Sequence, residues 1–213
     1  VLYCDRMNDF GHIFLEGTVL AFSDHETEQI RRALIAEARR CAVTLGMRKT
    51  AVDQLTQAVG IAKGSFYKFY ASKELLFFAV LEDIHTELYE VADRSLAGSG
   101  ALPPAERAAA AVLAVCRRMA DTGVLVFIEN DAKTLLDRLP EEVKTGHYHD
   151  DEVHIRALLQ KNALVPQGGM ALATATVRGL ILTVSHKEQI GALYPQVLET
   201  LVCGACTQLF PEK

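Results

Sequence analysis

The chain has 213 residues, 50% of them apolar and 23% charged, the balance of a globular protein that can bury a sizeable core. No run of eighteen or more apolar residues is present, which excludes an ordinary membrane-spanning helix. The apolar patches near the start (Ile13–Leu15, Val19–Phe22) sit among Asp5, Asp9 and Glu16 without a basic cluster, a poor secretion signal. Five scattered cysteines, an odd number, do not form a disulfide framework and point to a reducing cytoplasm. The net charge is −5, but it is unevenly spread. Glu26 to Lys73 carries nine basic and four acidic residues, a local +5, and the remainder is acidic. A basic head on an acidic body suits a small nucleic-acid-reading module with another task behind it.

In chain order, Ser23 and Glu26 form a capping-box pattern before an apolar stripe at Ile30, Leu34, Ala38, Cys41 and Leu45, which Gly46 ends. Thr50 with Asp53 reads as a second cap, followed by Val52, Leu55 and Val59, and Gly60 stops that helix early. A third short helix spans about 62–70. Ser72 caps a fourth, long helix carrying Leu75, Leu76, Ala79, Val80, Ile84, Leu88 and Val91. The Gly98–Pro104 segment is a loop, and an Ala-rich helix follows over about 104–121. Val124–Ile128 taken alone could be a buried strand. Without a partner strand it reads as the start of a helix reaching Leu139. Pro140 opens a helix to about Leu164, 170–187 is apolar on most sides and suits a buried or interface helix, and Pro195 opens the last one. The sum is an all-α chain of about nine helices, divided into residues 24–73 and 74–213. Residues 1–23 form an extension of unknown status, with Met7 an internal candidate start.

Residues 50–73 have the parts of a helix-turn-helix: two short helices and a tight turn at Gly60 that permits the left-handed conformation. Lys63, Gly64 and Ser65 open the second helix as a base-facing edge, with one long cation and two small residues that let the backbone approach the bases. Phe66 and Tyr70 are core anchors. Thr50, Tyr67, Lys68 and Lys73 stand where phosphates would be held. The segment TAVDQLTQAVGIAKGSFYKFYASKELL, residues 50–76, resembles the DNA-binding segment of the tetracycline-repressor (TetR) family of regulators. The resemblance implies an N-terminal three-helix DNA-binding domain and a larger helical effector-binding domain. It also implies a homodimer built from the last two helices of each subunit, a palindromic DNA operator and a small-molecule effector. Phe69 departs from the family, which often has a DNA-touching His there, and Tyr70 replaces the usual Phe.

Candidate lining residues of the effector pocket are Tyr89, Met119, Phe127, Asn130, His154 and Arg178. Two constellations offer an alternative sensing chemistry. In the cluster His147–His154, Asp150 pairs with His154 and His147 with Asp151 on helical spacing, as metal ligands do. Cys203 and Cys206 share a helix face at i,i+3 and could sense thiol chemistry. A helical enzyme is the competing class. No G-x-S-x-G, Walker loop, dinucleotide fingerprint or metallohydrolase motif is present, so no catalytic residue, resident metal or cofactor is expected.

Overall fold

The computed structural model describes residues 22–212, apart from the side chains of 148–151 and 185. The described residues contain helices and no strand. Contacts divide them into two compact units, one ending at Val80 and one beginning at Leu81.

The first unit holds α1 (Asp24–Thr44), α2 (Val52–Val59), α3 (Lys63–Phe66) and the start of α4 (Lys73–Gly98). The capping box forms as read: Glu26 N–H donates to Ser23 Oγ, and Ser23 N–H donates to the Glu26 carboxylate at 2.9 Å. Gly60 takes φ +78°, and the Ile61 amide behind it donates to Thr56 O at 3.0 Å, closing the tight turn into α3. The core collects Leu34, Ala38, Met47, Leu55, Phe66 and Phe77, each fully buried. One sequence reading is corrected. Thr50 does not cap α2, whose N-cap is Ala51, with the Ala51 amide donating to the Gln54 side chain. The Thr50 hydroxyl turns back and donates to Gly46 O at 2.9 Å.

The second unit holds the rest of α4 and α5 (Pro104–Thr122), α6 (Val124–Phe127), α7 (Lys133–Arg138), α8 (Glu141–Lys161), α9 (Gly169–Leu182), α10 (Lys187–Ile190) and α11 (Tyr194–Leu209). Val124–Arg138 is helical as expected, but a π turn at Ile128–Ala132 separates α6 from α7. The helix expected over 170–187 ends at Leu182 and tightens into a 3-10 turn, Thr183–His186, before the single turn of α10. The Arg107 guanidinium ties three elements, donating to Leu96 O, Asn162 O and Asn162 Oδ1. Lys161 pairs with Asp93 at 2.8 Å, and Arg118 pairs with Glu87. The helix α11 packs on α5 and α9. Large apolar side chains are exposed on α9 and α11: Leu172 and Leu182 on α9, Leu201 on α11. No described helix is long and apolar enough to cross a membrane.

Candidate nucleic-acid interface and ligand cavity

The turn at Gly60 delivers α3 with one side anchored and the other open. Phe66 and Tyr70 are buried, and their rings lie 6.2 Å apart. Lys63, Gly64, Tyr67 and Lys68 are exposed, and Ser65 is half-buried. Five of the seven residues expected to touch DNA thus form one accessible stretch, with small residues at its centre. Phe69, the departure from the family pattern, is buried and packs its ring 5.6 Å from that of Phe22. An aromatic suits that core position.

The other two expected contacts are placed differently. Thr50 is buried, with its hydroxyl on Gly46 and its amide donating to Met47 O. The Lys73 ammonium donates to Met47 O and to Thr50 O, both at 2.9 Å, and so clasps the connection between α1 and α2 to the start of α4. Both residues build the corner that carries α2 and α3. The sequence reading also missed a partner. Lys63 reaches across the turn to Asp53, with Nζ 2.9 Å from the carboxylate, and both side chains are more than half exposed. That hydrogen bond, reinforced by the carboxylate charge, raises the Lys63 pKa. Asp53→Asn is therefore expected to tighten binding to duplex DNA about three- to tenfold at low salt. It should also steepen the salt dependence by about one counterion, because the Lys63 ammonium is freed and one negative charge beside it is removed. Fluorescence anisotropy across a salt series measures both quantities.

In the second unit a cavity of about 590 Å³ lies between α4, α5, α8 and α9, within the usual range for small-molecule sites. Leu88, Val112, Val115, Ile155 and Ala173 give it largely apolar walls. Tyr89, Met119 and Arg178 are among its lining residues. Phe127, Asn130 and His154 are not. Phe127 is fully buried in the packing of α6, and the exposed Asn130 spends its amide on Val126 O. His154 stacks on the wall residue Tyr89, with ring centroids 4.8 Å apart and 7° between planes. Further polar wall residues are His85, Lys133 and Asp137, which the sequence did not single out, and His147, which it singled out only within the His147–His154 cluster. No local motif announces the meeting of His85 with His147, since α4 and α8 bring them together from 62 positions apart.

Residues 34–80 match the family model described as bacterial regulatory proteins, tetR family. That stretch, which includes α2 and α3, is similar to the TetR-family DNA-binding segment. Over 64 residues the chain is 34% identical to the HTH-type transcriptional repressor Rv1474c of Mycobacterium tuberculosis, a match spanning 30% of this chain and only about a third, 34%, of that repressor's length. Among solved structures, the transcriptional regulator SCO7518 of Streptomyces coelicolor shares the fold, with a TM-score of 0.65 at 17% identity over 86% of this chain and 99% of that one. AibR, solved in complex with isovaleryl coenzyme A and operator DNA, gives 0.51 at 17% identity over 86% and 100%.

Burial counts against the thiol-sensing alternative. Cys203 is exposed, whereas Cys206 is buried, and burial pushes the Cys206 thiol up to about 11. The two sulfurs therefore do not form a matched, reactive pair at neutral pH. Cys116, also buried, is pushed up to about 11 for the same reason. The metal-ligating pairs expected from Asp150 and Asp151 rest on side chains outside the described residues.

Proposed function

We propose that this chain is a ligand-responsive transcriptional repressor that binds a palindromic operator as a homodimer and leaves it when a small molecule fills the cavity. The observation that carries the reading is the α3 edge: Lys63, Gly64 and Ser65 project from a short helix whose other side is locked by buried Phe66 and Tyr70. Such an edge enters a major groove without disturbing its own packing. Lys63, Gly64 and Ser65 read bases, and Tyr67 and Lys68 hold phosphates. Thr50 and Lys73 act chiefly by fixing the corner. Dimerisation through α9 and α11 is favoured by their exposed leucines, which a second copy would cover. An effector that fits the cavity better in a conformation with the two recognition helices spread apart shifts the population off DNA. Tyr89, Met119 and Arg178 are the proposed contacts.

The test is selection of duplexes from a random pool by the full chain. The expected product is an inverted repeat whose half-sites lie about one helical turn, roughly 10 base pairs, apart. Enrichment of single, unrepeated sites would contradict the dimeric arrangement, and no enrichment would contradict sequence reading by α3. Ser65→Ala or Lys63→Ala should change the selected sequence, while Lys68→Ala should weaken binding to all duplexes alike.

A further inference from the structure

At one end of the cavity two histidines and a carboxylate converge. Glu82 and His85 stand three residues apart on α4, hence on one face, and His147 comes from α8. The imidazoles of His85 and His147 are stacked, with centroids 4.9 Å apart and planes 18° apart. His147 Nδ1 lies 2.6 Å from Glu82 Oε1. One candidate ligand atom from each of the three side chains lies within 4.8 Å of the others. His147 is buried, and Glu82 and His85 are half-buried. A metal bound at about 2.0–2.2 Å to nitrogen and oxygen needs its donors roughly 3–3.5 Å apart, which small side-chain rotations would achieve here.

We propose that Glu82, His85 and His147 form a binding site for a divalent first-row transition metal, whose open coordination position faces the cavity. Two imidazoles and one carboxylate are borderline donors that suit Zn²⁺, Fe²⁺ or Ni²⁺ rather than Mg²⁺ or Ca²⁺. Three protein ligands leave a position vacant, the arrangement of sites that bind a further molecule rather than only brace a fold. His85 and His147 are themselves wall residues, so that position is reached from the cavity. A Glu82–His147 hydrogen bond alone would not require the second imidazole to stack beside it. The metal would anchor an oxygen donor, such as a carboxylate, hydroxamate or enolate, in otherwise apolar surroundings. This role rests on reading the cavity as an effector site, whereas the metal site does not.

The experiment titrates Co²⁺ into the chelator-stripped full chain, without a polyhistidine tag and carrying Cys203→Ser to remove the exposed thiol. One equivalent should produce visible d–d bands of low coordination number, and added acetohydroxamate should shift them. Glu82→Gln and His85→Gln should each weaken Co²⁺ binding at least about tenfold, while His154→Ala, outside the triad, should leave it unchanged. Circular dichroism confirms that each variant is folded; if both Gln variants unfold, Co²⁺ protection of His85 and His147 from diethyl pyrocarbonate in the Cys203→Ser chain decides. Absent bands, bands that survive in the folded Gln variants, or unprotected histidines would overturn the site. Bands indifferent to acetohydroxamate would overturn the open position. Failure of the effector reading looks different: the bands appear, yet no small molecule releases DNA.

Discussion

Lys73→Met is expected to lower the stability of the chain by about 3 kcal/mol, because it removes two charge-assisted hydrogen bonds at once. Its ammonium sits 2.9 Å from two carbonyls, on Met47 and Thr50, that precede it by 26 and 23 residues. Both of those residues are essentially without solvent access, so water cannot easily replace the lost donor. For a chain of this size melting as one unit, the loss corresponds to a fall in Tm of roughly 6–12 °C. The family resemblance alone implies something else, a phosphate contact at Lys73. That contact would leave stability unchanged and reduce the salt slope of duplex binding by about one. Thermal melting and a salt series on the same variant separate the two roles: a lower Tm with an unchanged slope supports the clasp, and the converse places Lys73 on the DNA.

Gly64→Glu should have the opposite profile, silent for the fold and severe for DNA. A Cβ built at Gly64 meets nothing within 4 Å, and its φ is not in the left-handed region. Replacing a helical Gly gains about 0.5–1 kcal/mol of helix propensity, so melting should be unchanged or slightly higher. On the DNA side the new carboxylate would stand between Lys63 and Ser65, against base edges and phosphates. Like-charge juxtaposition at an interface costs several kcal/mol, and at least about a hundredfold loss of operator affinity is expected. Gly64→Ala, which adds one methyl group and no charge, should lose much less. A folded Gly64→Glu chain with undiminished operator affinity would remove α3 from the interface.

Features written in adjacent residues were legible in the sequence. The Ser23–Glu26 capping box, the stop at Gly60 and the helix starts after Pro103 and Pro140 depend on local backbone chemistry, and the structure has them. Features made by packing between distant segments were not. Thr50 looked like a helix cap by spacing, but the connection to α1 bends enough for its hydroxyl to reach Gly46. The π turn at Ile128–Ala132 and the break after Leu182 carry no Gly or Pro to announce them. His147 drew attention through its neighbours in sequence. Its partner Glu82 is 65 residues away, and only the apposition of α4 and α8 brings them together. The pairing of Lys63 with Asp53 across the turn is a similar case at shorter range.

The central claim, that the α3 edge binds a duplex in a way a ligand can reverse, is tested most directly by anisotropy of the full chain on its selected duplex from low to moderate salt. The account predicts that log K falls linearly with log salt with a steep slope, about −5 or beyond for a dimer gripping two half-sites. It also predicts much weaker binding to a scrambled duplex and loss of the signal in Gly64→Glu. Weak binding that is insensitive to salt and equal on both duplexes would contradict it.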